Sequence, residues 1–218
     1  MNLLLIGPPG AGKGTNAQYI NQHYHLHWLA SGDLLREEVA KASVLGKKVK
    51  EILEQGKLVD DETMIQLIRH PIHGLVREQR GFILDGFPRT TQQAQALQTM
   101  LREEGTSIDK IIVLDVDDDV LVKRISHRFS CTHCGAVYNM LYHPPKHADT
   151  CDRCGRKNTL KQRSDDKEEV VRERLHLYHQ QADPLLVYYQ EQACSISHID
   201  AMADIAAVQK RIDSVLAS

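Results

Sequence analysis

The chain has 218 residues, 42% of them hydrophobic, enough for one sizeable core or one core carrying insertions. Its 27 basic and 29 acidic side chains nearly cancel, leaving −2, so no broad field marks nucleic acid or a membrane surface as a partner. No apolar run approaches the ~18 residues of a membrane span. Met1 leads straight into a strand pattern without the basic start and cleavage site of a secretory leader, so the expected location is the cytoplasm.

The first predicted element is a strand over 2–6, containing Leu3-Leu4-Leu5-Ile6. It runs directly into GPPGAGKGT at 7–15 and a helix over 16–23. A buried strand that ends in a glycine-rich loop and then opens a helix is the layout of a phosphate cradle. Small residues let backbone N–H groups converge on an anion, and the helix N-terminus adds partial positive charge. Lys13 supplies a mobile charge for the β- and γ-phosphates, and Thr15 a hydroxyl near the metal. Gly14 stands where the general loop pattern has Ser or Thr. A plain glycine turn is the alternative, but it has no use for the lysine. The segment predicts binding of a nucleoside triphosphate.

A second strand is expected over 27–30, then two short helices over 32–41 and 46–55 with no strand between them. A helix over 61–70 starts behind an acidic cluster. Pro71, with His70 and His73, predicts that it kinks or stops there. Short apolar runs at 81–85 and 110–116 read as strands buried on both faces. Between them a helix over 91–104 is capped by Thr90 and ended by Gly105. A helix over 119–127 follows Asp117 or Asp118. Another over 167–181 follows Asp165-Asp166, with Pro184 predicting a break beyond it. A strand over 195–199 and a helix over 203–216 close the chain. The alternation predicts an α/β fold, a doubly wound parallel sheet carrying two inserted flaps. The core is expected at 1–29, 60–126 and 165–218, a helical flap at 30–59 and a turn-rich one at 127–164.

Cys131, Cys134, Cys151 and Cys154 form C-x₂-C-x₁₆-C-x₂-C inside the second flap. Each C-x-x-C can fold into a knuckle presenting two thiolates, and two knuckles close a tetrahedral site suited to structural zinc. A disulfide pair or redox dithiol is the other use of such spacing. Gly135 and Gly155 follow the knuckles where a tight turn favours glycine, and His133, His143 and His147 read as surface residues. A ribbon gripping nucleic acid is a rival reading, disfavoured by the charge balance and the lack of aromatics interleaved with Lys and Arg.

Asp85 ends an apolar strand beside the phosphate loop, placed either to hold Mg²⁺ or merely to cap a turn. Arg89 follows within reach of the same crevice. Arg36, Arg124, Arg128, Arg163 and Arg174 stand at the hinges of both flaps. Clustered guanidiniums suit the charge of a moving phosphoryl group.

These segments, together with SGDLLR at 31–36, GKLV at 56–59, DGFPRT at 85–90 and DDKEEVVRERL at 165–175, resemble the adenylate kinase family over nearly the whole chain. That family uses the shifted GKGT loop, and its bacterial-type members carry a long zinc-bearing lid. The resemblance implies transfer of a phosphoryl group from Mg-ATP to AMP, giving two ADP. It assigns Gly10, Ala11, Gly12, Lys13, Gly14 and Thr15 to the ATP phosphates. Arg124, Arg128, Val137, Tyr138 and Ala203 are assigned elsewhere around ATP. It assigns Ser31, Arg36, Lys57, Leu58, Val59, Gly86, Phe87, Pro88, Arg89 and Gln93 to AMP, with Gln92 as the neighbouring alternative for Gln93. Arg163 and Arg174 would bridge both phosphate chains, and Lys13, Arg89, Arg128, Arg163 and Arg174 form the implied catalytic set. Asp165 and Asp166 fall at the lid hinge, and Phe129 stands where some relatives carry an arginine. Trp28 and Cys194 are expected to be packing residues. The implied partners are small molecules only, and the implied state is a monomer. A UMP/CMP or GMP kinase is the nearest alternative, and an ATP-gated binding protein the more distant one.

Overall fold

The computed structural model describes every residue except Ala42, Gly56 and Ser218, and of Ser164 only the backbone. Gly56, the first residue of the GKLV segment, therefore lies outside the described residues. In chain order the first half contains β1 (Asn2–Ile6), α1 (Lys13–Tyr24), β2 (His27–Ala30), α2 (Ser31–Ala40), α3 (Val44–Glu54), α4 (Asp61–Arg77), β3 (Phe82–Asp85) and α5 (Thr91–Glu103). The second half contains β4 (Lys110–Asp115), α6 (Asp118–Ser126), β5 (Arg128–Cys131), β6 (Val137–Asn139), β7 (Leu160–Lys161), a 3₁₀ turn (Ser164–Asp166), α7 (Glu168–Glu191), β8 (Ile196–Asp200) and α8 (Ile205–Ala217).

Five of the strands form one parallel sheet in the order β2-β3-β1-β4-β8, with Leu4 of β1 opposite Leu84 of β3 and Ile111 of β4. Alternation along β1 then divides the core. Leu4 and Ile6 join Met64, Ile68, Ile72, Leu97 and Leu101 from α4 and α5 on one face. Leu3 and Leu5 join Ala17, Ile20, Leu121, Ile125, Val208 and Ile212 from α1, α6 and α8 on the other. This is the doubly wound architecture expected, with helices on both faces.

Three helices differ from expectation. α1 begins at Lys13, not residue 16, because Gly12 takes a left-handed conformation at φ +89° that turns the chain directly into the helix. α4 does not end before Pro71 but runs on to Arg77. Pro71 forfeits a backbone hydrogen bond, at roughly 3 kcal/mol. However, Ile68, Ile72 and Leu75 lie buried along one face, each contributing about 1.5–3 kcal/mol. α7 likewise passes through Pro184, which is exposed, because Ala182, Leu185 and Tyr189 are buried around it. In both helices tertiary burial outweighs a local breaker.

The stretch between β2 and α4 is helical. Leu35, Val49 and Val59 anchor it in the main core, and α2 packs on α3 so closely that a Cβ at Gly46 would lie 2.4 Å from the Glu38 carbonyl oxygen. The stretch after α6 is a separate antiparallel ribbon of order β6-β5-β7, with a small buried cluster of Cys131, Tyr138 and Cys151. Trp28 packs half-buried on the α1 side, and Cys194 packs against the opposite cluster, where burial pushes its thiol pKa up.

Candidate active site

The loop between β1 and α1 sits at the carboxyl end of the central strand. Gly10 and Gly12 both adopt left-handed conformations, φ +83° and +89°. Gly10 also presses on α6, since a Cβ there would meet Ile125 Cγ1 at 2.6 Å. α1 starts without a side-chain cap and without an acidic residue in its first turn, so its leading amides remain available to an anion. Beneath the loop, a Cβ at Gly14 would stand 3.5 Å from the Trp28 ring and 3.9 Å from Asp85 Oδ2. Thr15 is exposed on the first turn of α1.

Lys13 folds back on this loop, its Nζ donating to the carbonyls of Gly7 at 2.7 Å and Pro8 at 2.9 Å. Burial lowers its pKa to about 8. Asp85 opposes that shift, while Arg89, Arg174 and Arg128 add to it. Asp85, at the end of β3, is the counterpart: burial pushes its carboxyl up, and Lys13 and Arg89 pull it back. The turn after β3 is tied by its own backbone. Ser31 Oγ and Arg89 Nε both donate to the Gly86 carbonyl at 2.8 Å, and Gly86 at φ +77° leaves no room for a Cβ beside Ser31 Oγ. The Phe87–Pro88 bond is cis, and the Phe87 ring is buried in the core.

The other guanidiniums approach from the ribbon hinge and α7. Arg128 holds the fully buried Asp166 with both Nε, at 2.9 Å, and Nη2. Arg174 Nη1 donates to Asp165 Oδ2 at 2.8 Å and lies 3.8 Å from Asp166. Arg163 Nε donates to Ser130 Oγ at 3.0 Å. Desolvation lowers Arg89, whose side chain nonetheless reaches solvent, and the half-buried Arg163 to about 10, with Arg174 pressing on the first and Arg128 and Arg36 on the second. Burial and Arg128 also lower Arg174, against Asp165. Arg128 alone is raised, since Asp166 more than offsets its burial. These cations crowd one another, which is the electrostatic condition of a site built for a polyanion.

Gly7, Lys13, Leu58, Pro88, Arg89 and Arg174 line a common crevice of about 80 Å³. A larger cavity of about 580 Å³ lies at the amino ends of β4 and β8, beside α5 and the turns that lead into those strands, and holds none of these residues. Leu177, Tyr178 and Gln181 of α7 also line the crevice. Sequence reasoning passed over them, although Tyr178 and Gln181 follow Arg174 by four and seven positions and so share its helix face.

Other expected residues stand further out. Arg36 is paired with Asp33 at 2.5 Å, and Lys57 is exposed while Val59 is buried in the core. Arg124 Nη1 donates to the Ala201 carbonyl at 3.0 Å, and Ala203 is half-buried on the α8 side. Gln93, not the exposed Gln92, points inward. Its Oε1 accepts from the Arg89 amide at 2.8 Å and its Nε2 donates to Asp61 at 2.7 Å.

In the ribbon Val137 is exposed, and Tyr138 is buried with its hydroxyl 3.4 Å from Cys151 Sγ. The four paired cysteines are free thiols whose sulfurs all lie within 4.8 Å of one another. Cys131 and Cys154 are 3.7 Å apart and Cys134 and Cys151 3.5 Å, far beyond a disulfide bond. Four thiolates at about 2.3 Å from a tetrahedral ion would be spaced about 3.8 Å, so the cluster fits a four-coordinate metal. The knuckles match: Gly135 N donates to Cys131 O at 2.9 Å and Gly155 N to Cys151 O at 2.8 Å. His133, His143 and His147 are exposed. No helix among the described residues is long and apolar enough to cross a membrane.

The family model for adenylate kinase matches residues 5–194. The chain is 46% identical to the adenylate kinase of Archaeoglobus fulgidus over 216 residues, 99% of this chain and 98% of that one. It is 45% identical to that of Kosmotoga olearia over 212 residues, 97% of each chain. It is also 45% identical to that of Caldicellulosiruptor bescii over 192 residues, 87% of each.

Proposed function

We propose that this chain, which belongs to the adenylate kinase family, transfers the γ-phosphoryl group of ATP reversibly to the α-phosphate of AMP, giving two ADP. The observation that carries this reading is the crowding of cations at the glycine loop: Lys13, Arg89 and Arg174 line one crevice, and Arg128 presses on both Lys13 and Arg163. Such a centre needs no covalent intermediate. It holds two phosphate chains in line and neutralises the charge that spreads over the moving group.

On this reading the amides of residues 10–15 and Lys13 hold the ATP phosphates, while Arg124, Val137, Tyr138 and Ala203 lie on the side of its adenosine. Ser31, Arg36, residues 57–59, residues 86–89 and Gln93 form the AMP side. Arg128, Arg163 and Arg174 span the gap between the two nucleotides. Asp85, a half-buried carboxyl already drawn toward cations, would hold Mg²⁺ near the Thr15 hydroxyl, where the ion would screen phosphate charge. The four thiolates would hold zinc, closing its coordination and bracing the ribbon.

Residues 30–59 and 127–164 act as flaps on a core of 1–29, 60–126 and 165–218. Both flaps would part to admit the two nucleotides. Their closure keeps water from the phosphoryl group. The reading includes a monomer working in the cytoplasm.

The test is ADP formation from ATP with AMP, UMP, CMP and GMP as acceptors, in the wild type and in Lys13→Ala and Arg89→Ala. AMP should be the preferred acceptor, and each substitution should lower turnover by about 10³-fold or more. Turnover at the wild-type level in either variant, or salt-sensitive RNA binding without AMP-dependent ADP formation, would overturn it.

A further inference from the structure

A glutamine is a poor discriminator of purines unless something fixes which end of its amide faces which way. The terminal torsion is broad and two-fold, so carbonyl and amino ends exchange easily. Adenine offers a 6-amino donor beside the N1 acceptor, whereas hypoxanthine offers a 6-oxo acceptor beside an N1–H donor. An amide in one orientation complements the first, and turned over it complements the second.

Gln93 is held in one orientation from two sides. Its Oε1 accepts from the backbone N–H of Arg89 at 2.8 Å, a group that can only donate. Its Nε2 donates to Asp61 Oδ1 at 2.7 Å, a carboxylate oxygen that accepts. Asp61 is itself steadied, its Oδ2 accepting from the Thr90 hydroxyl at 3.0 Å, and Thr90 caps α5 by accepting from the Gln93 amide at 3.1 Å. Turning the amide over would set the amino group against Arg89 N–H and the carbonyl against the carboxylate. Two hydrogen bonds would be lost, and two like poles would face each other around a side chain only 2% exposed. One N–H and one carbonyl lone pair of the amide remain for a ligand, and which end presents which is fixed.

We infer that Asp61 is the positioning residue that makes this site choose a 6-amino over a 6-oxo purine monophosphate, by fixing the polarity of the Gln93 amide. The inference rests on the proposed placement of Gln93 at the AMP base. Asp61 is bonded to Thr90 and Gln93 and lies outside the residues proposed to hold either nucleotide. It acts only through the glutamine, so its loss should tell on acceptor affinity and selectivity and not on the phosphoryl step.

The experiment compares AMP and IMP as acceptors, with saturating ATP, in the wild type, Asp61→Asn, Asp61→Glu and Gln93→Leu, with melting curves for each. Asp61→Asn offers the glutamine either an acceptor or a donor. It should raise KM for AMP about fivefold or more, leave kcat within twofold, and cut the AMP-to-IMP ratio of kcat/KM about tenfold. Asp61→Glu keeps the charge but displaces it, and should fall between; it carries the test if Asp61→Asn does not fold. If Gln93→Leu collapses the ratio while both Asp61 variants keep it, Asp61 has no such role, although the placement of Gln93 stands. If Gln93→Leu leaves KM for AMP and the ratio unchanged, the placement of Gln93 fails and the inference with it. A variant at Asp61 that lowers melting temperature and kcat together at an unchanged ratio shows helix support alone, and also overturns it.

Discussion

The helical stretch α2–α3 and the cysteine ribbon are built on different physical terms. The first, α2 and α3, borrows the main core: Leu35 and Val49 are buried in the cluster that also holds Leu84 and Phe87. Ser43 caps α3 by accepting from the Gly46 amide at 2.8 Å, and it donates to Glu38 at 2.8 Å. The second has no such share. Its small cluster consists of Cys131, Tyr138 and Cys151 with Cys134, Ala136, Cys154 and Leu160 at the edge, so sulfur fills the place that leucine and valine fill elsewhere. A segment that docks on a core can move while staying folded. One that stands away from it must carry its own brace, and here that brace is a ligand set.

The sharpest test of this contrast is removal of the zinc proposed for the ribbon. Structural zinc supplies on the order of 10 kcal/mol to small isolated modules, so chelation should lower the melting midpoint more than any substitution below. Hydrogen exchange should rise across β5–β7 and stay unchanged across α2 and α3, and the chemical step should change less than the stability does. Metal-loaded and metal-free proteins with the same midpoint would break the comparison.

Next in size is Asp166→Ala at the ribbon hinge. It leaves Arg128, only 18% exposed, without its buried counter-charge, and takes the second carboxylate from Arg174, which keeps Asp165. A loss of about 3–5 kcal/mol is expected in denaturant unfolding. Leu35→Ala in the helical flap should cost about 3 kcal/mol, with the same value whether or not metal is present, since the sites share no partner.

The last test concerns the phosphate loop. Lys13 falls from 10.5 to about 8 on folding. The unfolded chain therefore holds more protons between those values, and this group's contribution to stability rises with pH across the window. Over the same window the folded protein loses a cation, so KM for ATP should climb above about pH 8. In Lys13→Met that limb of the profile should be flat.

How much of this was legible beforehand depends on whether the cause is local. β1, β3 and β4 declare themselves as short apolar runs, and the loop, Lys13, Asp85 and Arg89 lie in two continuous segments whose chemistry can be read in place. Pro71 and Pro184 misled because a helix breaker is visible in a short window, while the burial of Ile72, Leu75, Leu185 and Tyr189 that offsets it is tertiary. The pairs Asp61–Gln93 and Arg128–Asp166 are separated by 32 and 38 positions. Nothing in either partner's neighbourhood names the other, so the orientation of Gln93 and the anchoring of Arg128 emerged only from the folded chain.

Trp28 is the chain's sole tryptophan, and its ring underlies Gly14 of the phosphate loop. The protein therefore contains a native optical probe a few ångströms from where the phosphates of its substrate would rest. Changes in indole emission on mixing with nucleotide can be followed without a label, and they originate from one known place.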